Sequence, residues 1–390
     1  MRFTYDTDVL DRYPLNVPLL SCSLPTGSRT VDARAFFAGL LPEEDHRRAL
    51  ASRAGVLDTD VFALLLAYGQ DVAGAVVVGD AVADRPRAAA DPYTSGALDE
   101  EVAALADKAR PLAVHDDSEL SIAGLQDKML LVALEDGGWA RPVHGYPSTH
   151  ILKVDDRSHR GLVIAEHTCL QIARAAQLPA ARSELVAFGE LDALIVTRFD
   201  REPATGSLPR RIHQEDSCQA LGIDLEPSAG RTKYERLGGP RLRQVAALLE
   251  AWGDPASRYA LLDQVVFTVL SGNGDAHGKN ISFLHPSADG IVLAPLYDTV
   301  PTALWPALRT WAAMSVGGAT ELPQINLTDI VAEAAGWGLS EGSARARVVA
   351  TTERVRQACD TVDIPDVPIA EAAVRLVGAN CEQLLTASLH

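Results

Sequence analysis

Cysteine is scarce in this sequence of 390 residues, which contains five cysteines. They lie far apart, their number is odd and none forms a C-x-x-C pair, which argues against a disulfide framework and against a cysteine zinc site. We therefore predict buried thiols, including Cys218, which has no evident activating base. The cysteines are Cys22, Cys169, Cys218, Cys359 and Cys381.

Long hydrophobic runs are also missing. The densest apolar stretch, residues 61–67 (VFALLLA), is far shorter than the roughly 18 residues that a membrane span needs. The first residues, MRFTYDTDVL, carry two acids and lack the basic and then apolar regions of a signal peptide. We expect a cytoplasmic protein with no membrane partner.

Basic residues are outnumbered by acidic ones. The sequence contains 35 Lys and Arg and 52 Asp and Glu, so the net charge is −17. Such a charge opposes non-specific attraction to the phosphates of nucleic acids. If DNA is a partner, we expect another subunit to contact it.

The length exceeds one ordinary domain of roughly 100 to 200 residues, so several packed units are expected. The most linker-like stretch is residues 81–96, which mixes Pro, Gly, Ser and charge. The pattern favours a small mixed sheet followed by a helical lobe, an α+β architecture. We predict three segments: residues 1–95, with helices near 32–40 and 58–68; residues 96–204, with strands near 129–133, 150–154 and 194–198 and a helix near 162–177; and residues 205–390, mostly helical with a strand pair near 281–284 and 291–293.

The most informative stretch is residues 271–284, SGNGDAHGKNISFL, which follows an apolar helix predicted at 259–270. Here Asp275 precedes Asn280 by five residues, the spacing of H-R-D-x-x-x-x-N in the catalytic loop of protein kinases. Phosphoryl transfer needs such a pair, because a carboxylate must orient the attacking hydroxyl and accept its proton while a neutral oxygen helps to hold Mg²⁺ on the phosphates. Asp275 is the candidate base and Asn280 the candidate ligand.

Taken alone, this loop could be an ordinary polar turn, because Gly, Asn and Asp are common turn residues. Other residues in kinase order weaken that interpretation. Asp298 follows the strand pair, where a second acidic ligand for Mg²⁺ is expected. Lys153 lies in a predicted strand, as the phosphate-binding lysine of V-A-I-K does, and Glu166 in the next helix is its candidate partner.

The loop that covers the phosphates departs from the kinase pattern. Residues 121–128 (SIAGLQDK) contain a single glycine instead of the G-x-G-x-x-G set. Backbone amides could approach a phosphate at Gly124, and no Walker A motif replaces the missing glycines.

These motifs, together with blocks spread over most of the chain, resemble the HipA-like serine/threonine kinase toxins of bacterial toxin–antitoxin systems. The order of the blocks carries the resemblance more than any one of them does. The resemblance implies a bilobal protein-kinase-like fold, with a small mixed β-sheet as the N-lobe, preceded by a HipA-like N-terminal subdomain, and a mainly helical C-lobe. The blocks are residues 18–25, 37–43, 69–75, 121–128, 151–153, 198–201, 213–222, 233–235, 274–280 and 297–298.

The resemblance implies an active protein kinase that uses ATP and Mg²⁺. Asp275 is then the catalytic base, and Asn280 and Asp298 are the Mg²⁺ ligands. The implied ATP-binding residues are Ala123, Gly124, Leu125, Gln126, Asp127 and Lys128 in the phosphate-binding loop, Lys153 as the phosphate lysine, Thr197, Arg198 and Phe199 at the adenine hinge, and His277, Lys279 and Tyr297 around the catalytic loop.

The resemblance also implies regulation and partners. In the family, the serine of the phosphate-binding loop is autophosphorylated, which displaces the loop and stops the enzyme, so Ser121 is the candidate switch and Ser118 a second candidate. Relatives phosphorylate serine in proteins, including aminoacyl-tRNA synthetases. They associate with a small HipB-like helix-turn-helix antitoxin that binds operator DNA, which agrees with the acidic charge of this chain.

Two alternatives to a toxin kinase stay open. A small-molecule phosphotransferase would share the same loop, since it faces the same transition state, and fold analogy alone does not separate the two. A weakly catalytic subunit that binds an antitoxin and acts as a co-repressor would carry the same family blocks.

The N-terminus departs from the family pattern. Family members usually begin with further short strands before the segment that matches residues 3–6 (FTYD), whereas this chain starts almost on that segment. We expect an N-terminal subdomain that is trimmed, supplied in part by another polypeptide, or read from the wrong start codon.

Overall fold

The structure is a computed structural model that describes residues 1–79, 88–107, 128–155, 160–203, 207–225, 232–305, 308 and 311–386. Within these ranges, no helix is both long and apolar enough to cross a membrane. All five cysteines are free, and Cys169, Cys218 and Cys381 are buried as predicted, whereas Cys22 and Cys359 are partly exposed.

The first residues fold as a small subdomain around a hydrophobic core of their own. Its elements are β1 (Arg2–Phe3), α1 (Thr7–Arg12), β2 (Val31–Asp32), α2 (Arg34–Gly39), α3 (Glu44–Ala54) and α4 (Val61–Tyr68). Phe36 and Leu40 pack with Leu64 and Leu65 of α4, and all four side chains are almost completely buried. The side chain of Asp60 accepts a hydrogen bond from the Ala63 amide and so begins α4. Helix formation in the two regions with helical patterning is confirmed.

A six-stranded antiparallel sheet follows, with the strand order β3-β5-β4-β6-β8-β7. In its central ladder, Lys128 lies directly opposite Lys153. The elements are β3 (Ala89–Pro92), α5 (Ala97–Ala106), β4 (Lys128–Ala133), β5 (Trp139–Val143), β6 (His150–Val154), α6 (Leu162–Ala175), β7 (Ser183–Phe188) and β8 (Leu191–Thr197). The three predicted strands and the predicted helix of this segment are confirmed, with ends that shift by a few residues.

The linker predicted at residues 81–96 is wrong over part of its length. Ala89–Pro92 form strand β3, which pairs antiparallel with β5. Because β3 is the edge of the sheet, Pro92 removes no hydrogen bond from an inner ladder. Residues 80–87 of the same stretch lie outside the described part of the chain.

Both faces of this sheet are covered, which explains the unbroken apolar run in β8. Successive side chains of a strand point to opposite faces. Ala193 and Ile195 pack with α5 on one face, whereas Leu194 and Val196 join the large core of the helical lobe on the other. Helix α6 lies in that second core and packs against the last two helices of the chain, so the sheet and the helical lobe share one interior.

The remainder of the chain forms the mainly helical lobe, and the whole is an α+β, bilobal kinase-like architecture. The predicted strand pair is present as β12 and β13, to which β11 adds a third strand, whereas the small hairpin of β14 and β15 was not expected. The elements are β9 (Arg201–Glu202), β10 (Arg210–Arg211), β11 (His213–Asp216), α7 (Ser217–Ala220), α8 (Leu242–Trp252), α9 (Ser257–Ser271), β12 (Ser282–Ser287), β13 (Gly290–Leu293), β14 (Trp311–Val316), β15 (Ala319–Glu321), α10 (Leu327–Ala335), α11 (Glu341–Thr361) and α12 (Pro368–Thr386).

A buried network of charges joins the N-terminal subdomain to the segment that leaves β8. Asp71 accepts hydrogen bonds from Nη2 of Arg201 at 2.9 Å and from the amide of Ser148 at 3.0 Å. Asp200 binds both Arg198, at 2.8 Å, and Arg201, at 2.9 Å. Burial alone would raise the pKa of Asp200, but the two guanidinium groups lower it to about 2. The network therefore holds its charges in pairs inside the protein.

We expect Asp71→Ala to lower the free energy of unfolding by about 3 kcal/mol, because it removes one carboxylate from a buried guanidinium group. Urea denaturation measures the change. Asp91→Ala is the matched control, since Asp91 is largely exposed and pairs with Arg141 at the surface, where an ion pair contributes below about 1 kcal/mol. Equal effects of the two substitutions would contradict a stabilising role for the network.

Candidate active site

A cavity of about 430 Å³ lies where the N-terminal subdomain, the sheet and the helical lobe meet. All the described residues that the sequence assigned to catalysis, ATP binding or Mg²⁺ line it. They are Lys128, Lys153, Thr197, Arg198, Phe199, Asp275, His277, Lys279, Asn280, Tyr297 and Asp298. Ser118, Ser121, Ala123, Gly124, Leu125, Gln126 and Asp127 lie outside the described residues.

Lys153 is the central cation of the cavity. Its Nζ donates to Oε1 and Oε2 of Glu166 at 2.8 and 3.0 Å and also contacts Oδ1 of Asp298. Burial disfavours the charge of Lys153, but Asp298 and Glu166 raise its pKa above the ordinary lysine value. The predicted pairing of Lys153 with Glu166 is confirmed, and Asp298 is a second partner of the same amine.

Asp298 reaches Lys153 from the opposite lobe. Burial would raise the pKa of its carboxyl, but Lys153 and Lys128 lower it to about 2, so the group is ionised. Its backbone has a φ of +52°, in the left-handed region that residues other than glycine rarely adopt. Nδ2 of Asn273 donates to the Asp298 carbonyl at 3.1 Å and holds this strained residue beside the loop that carries Asp275.

The loop that carries Asp275 begins where α9 ends at Gly272, which caps the helix with a φ of +66°. Side chains then close the loop on itself. Oδ1 of Asn273 accepts from the Asp275 amide at 3.0 Å, and Nδ2 of Asn280 donates to the Asp275 carbonyl at 3.0 Å. Thr302 accepts from the Gly274 amide at 2.8 Å. Asp275 and Asn280 are therefore held in a fixed relation within one cavity.

His277 and Lys279 both line the cavity, but their side chains differ in the hydrogen bonds that they make. Nζ of Lys279 donates to Asp216 at 2.8 Å and to the Gly39 carbonyl at 3.1 Å, and it thereby connects the Asp275 loop to the N-terminal subdomain. Nδ1 of His277 is buried and has no hydrogen-bond partner among the residues that the structure describes. Burial, with Lys233 nearby, lowers the pKa of His277 well below its usual value, so the imidazole is neutral.

The residues proposed for the adenine hinge lie at the end of β8. The amide of Arg198 donates to the Thr149 carbonyl at 2.9 Å, and its guanidinium group belongs to the buried network with Asp200. The rings of Phe199 and Tyr297 lie 5.5 Å apart at an interplanar angle of 45°. This end of the cavity therefore offers aromatic surface, whereas the other end offers charge.

Lysine is rare in this chain, and most of the lysines line the cavity. The sequence contains five lysines against thirty arginines, and four of the five line the cavity: Lys128, Lys153, Lys233 and Lys279. The fifth, Lys108, lies outside the described residues. The compact ammonium group suits phosphate binding as a point charge, so the rarity of lysine is a signal that could have pointed to Lys233.

The N-terminal subdomain contributes residues to which sequence reasoning gave no role. Oε2 of Glu43 lies 2.7 Å from Nζ of Lys233, and both side chains are buried. Within the described part of the chain, Oε1 of Glu43 is buried and has no hydrogen-bond partner, and the same holds for Oε1 of Gln214 in β11. Both residues line the cavity. Glu43 precedes a helix of another subdomain, so no local pattern could have placed it here.

This cleft and the architecture around it place the protein in the class of bilobal kinases. Two family models match the sequence, one for the HipA N-terminal domain over residues 1–79 and one for the HipA-like C-terminal domain over residues 120–362. The chain belongs to the HipA family, and the predicted resemblance and fold are confirmed.

Named relatives support the kinase class. A putative kinase of Sinorhizobium fredii, Y4mE, is 36% identical over 82% of this chain and 77% of its own length. The serine/threonine-protein kinase toxin HipA of Shewanella oneidensis is 30% identical over 90% of this chain and 82% of its own length. The solved structure of a Shewanella oneidensis HipA, in complex with HipB and operator DNA, has a TM-score of 0.82 at 27% identity and covers 99% of this chain and 92% of that one.

We expect Lys128 and Lys153, which lie opposite each other in the sheet, to lose their protons at well-separated pH values. Burial, together with the positive charge of Lys153, lowers the pKa of Lys128 to about 8, whereas Lys153 keeps its proton to higher pH. In a protein labelled with ¹³C-lysine, the ε-carbon signal of Lys128 should shift with a midpoint near pH 8 while that of Lys153 stays constant through this range. Lys128→Arg and Lys153→Arg assign the two signals, and a common midpoint would contradict the prediction.

Proposed function

We propose that this protein is a serine/threonine protein kinase that uses Mg-ATP and acts as the toxin of a toxin–antitoxin pair. One observation carries the proposal: Lys153 is bound to Glu166 and Asp298 in the same cavity that contains Asp275 and Asn280. The name of the Shewanella oneidensis relative, a serine/threonine-protein kinase toxin, supports the acceptor class.

ATP lies along the cavity from its aromatic end to its charged end. The adenine binds at Thr197, Arg198 and Phe199, where the ring of Tyr297 provides the opposite surface. The phosphates bind near Lys128 and Lys153, because these amines offer positive charge in a buried setting where electrostatic attraction is strong. His277 and Lys279 contact the nucleotide from the catalytic loop.

The side chains that line the charged part of the cavity are suited to binding Mg²⁺. Asp298 and Asn280 offer hard oxygen ligands, which this ion prefers. In the described part of the chain, no group of three or more His, Cys, Asp and Glu side chains forms a metal site by itself. Such a small donor set agrees with the usual binding of Mg²⁺ through one or two side chains and the phosphates of the substrate. Bound there, the ion would neutralise charge on the phosphates.

Asp275 orients the hydroxyl of the acceptor serine and accepts its proton as the hydroxyl oxygen bonds to the terminal phosphorus of ATP, while the bond from that phosphorus to the β-phosphate oxygen breaks and ADP leaves. The loop suits this role, because hydrogen bonds from Asn280 and to Asn273 hold the backbone of Asp275 in place. Such positioning of the reacting groups supplies most of the catalysis in phosphoryl transfer.

We also propose that the kinase limits itself by phosphorylating Ser121, with Ser118 as a second candidate. The proposed phosphate-binding loop comprises Ala123, Gly124, Leu125, Gln126, Asp127 and Lys128. The position of Lys128 in the cavity supports the proposal, because it brings the end of this loop to the charged end of the cleft.

The proposed partner is a HipB-like helix-turn-helix antitoxin that makes the contacts to DNA. The Shewanella oneidensis structure contains HipA, HipB and operator DNA, and the net charge of −17 of this chain opposes direct binding to DNA. The proposed acceptor is a serine in a cytoplasmic protein, with an aminoacyl-tRNA synthetase as the candidate that the family resemblance implies.

Intact-mass measurement after incubation with Mg-ATP tests catalysis and self-limitation together. The dephosphorylated wild type should gain one phosphoryl group, and Ser121→Ala should gain none because its acceptor is missing. Asp275→Asn should react about 10²- to 10⁴-fold more slowly, since it lacks a general base.

Asp192→Asn is the matched control, because Asp192 is exposed on β8 and does not line the cavity. It should react like the wild type. A wild type that binds ATP and gains no phosphoryl group would overturn autophosphorylation, and full activity of Asp275→Asn would overturn the base assignment.

The toxin role predicts that inducible expression of the wild type without its antitoxin arrests growth, whereas Asp275→Asn expressed at the same level does not. Colony counts after induction measure the effect. Growth arrest by both proteins would favour the binding subunit over the kinase, because the effect would then need no phosphoryl transfer.

A further inference from the structure

Four consecutive residues, Lys233–Arg236, connect the catalytic loop to two other parts of the protein. We name them the KYER segment. Lys233 pairs with Glu43 of the N-terminal subdomain at 2.7 Å. Glu235 accepts hydrogen bonds from the amide and hydroxyl of Ser315 in β14, at 2.7 and 2.8 Å. The guanidinium carbon of Arg236 lies 3.0 Å from the ring centre of Trp311. The segment is therefore anchored on both sides.

Tyr234 is the member of the KYER segment that faces the proposed base. Its hydroxyl donates to Oδ1 of Asp275 at 2.7 Å. Only 4% of Tyr234 is exposed, and it is absent from the cavity lining, so it reaches Asp275 from behind rather than from the substrate side. Its ring stands edge-on to the ring of His277, with the centres 5.2 Å apart.

The backbone around Tyr234 is fixed to the same loop. The carbonyl of Lys233 accepts from the amide of Gly278 at 3.0 Å. Packing is tight there, because a Cβ added to Gly278 would meet the ring of Pro240 at 2.5 Å. The Tyr234 carbonyl accepts from the amides of Leu237 and Gly239, both at 2.9 Å. The hydroxyl therefore has little freedom to leave Asp275.

A carboxylate at the end of a short side chain can rotate, and a general base works only in the orientation that meets the substrate hydroxyl. A buried hydroxyl that donates to one oxygen removes much of that rotational freedom, because charge-assisted hydrogen bonds are short and strong. His277 is neutral, so it offers no competing positive charge to Asp275.

We propose that Tyr234 is a positioning residue for Asp275, held in place by the KYER segment and its ion pair with Glu43. This role rests on the proposed kinase function, in which Asp275 is the base. The tyrosine itself touches neither nucleotide nor acceptor. Through Lys233, the N-terminal subdomain thereby fixes the orientation of the catalytic carboxylate.

Tyr234→Phe tests the proposal, because it removes the hydroxyl and keeps the ring that packs on His277. The rate constant for phosphoryl transfer at saturating Mg-ATP should fall about 10- to 100-fold, the loss expected for one hydrogen bond to a charged group. The KM for ATP should stay close to the wild-type value, since the variant keeps the cavity lining. An unchanged rate, or a rise in the KM for ATP that accounts for the whole loss, would overturn the proposal.

Tyr93→Phe is the matched control. The hydroxyl of Tyr93 also donates to a carboxylate, that of Glu101, but it lies beside the sheet and away from the cavity. This variant should transfer phosphate at the wild-type rate. An equal loss of rate in both variants would show that any lost tyrosine hydrogen bond slows the enzyme and would contradict a specific role for Tyr234.

A crystal structure of Tyr234→Phe tests the positioning role of Tyr234 without an activity measurement. The carboxylate of Asp275 should turn away from its wild-type orientation or occupy two conformers, and an unchanged single conformer would overturn the proposal. If the wild type transfers no phosphoryl group at all, the proposed function fails, and the crystal structure then decides by itself whether Tyr234 positions Asp275.

Discussion

The cleft depends on one buried amine. Lys153 binds Glu166 of α6 and Asp298 of the opposite lobe, so β6, α6 and a segment 145 residues further along the chain meet at a single charge. A buried ammonium group is costly unless it is paired and hydrogen-bonded, and removing one partner from such a pair is strongly destabilising. The lobes are therefore held at the distance at which Lys153 reaches both carboxylates, and the loop that carries Asp275 lies beside this contact because Asn273 binds the Asp298 carbonyl.

The N-terminal subdomain forms part of the lining of this cavity. The carbonyl of Gly39 and the carboxylate of Glu43 bind two lysines of the cleft, and Asp71 neutralises the arginines that follow β8. Each contact buries charge between segments that are well over a hundred residues apart in sequence. A change in the N-terminal subdomain can therefore alter the Asp275 loop directly, through contacts between side chains.

Local sequence patterns predicted the elements around the site better than the contacts of their side chains. The strand at His150–Val154 and the helix that carries Glu166 are present where alternation and helical spacing placed them. The KYER segment had no assigned role, because a tyrosine flanked by charges resembles any polar loop. Arg198 illustrates the same limit: its backbone lies at the proposed hinge, but its side chain turns into a buried ion network that only the fold creates.

The sequence by itself determined the order of the chemical groups: a strand lysine, a helix glutamate, an aspartate and asparagine five residues apart, and a final aspartate. That order belongs to the primary structure, and the fixed periods of a strand and of a helix indicate which element carries the lysine and which the glutamate. The tertiary structure alone decided that Lys153 holds Asp298, that Glu43 enters the cleft and that Tyr234 stands behind Asp275. These are contacts between distant segments, and they arise because burying a charge or a hydroxyl requires a partner, wherever along the chain that partner lies.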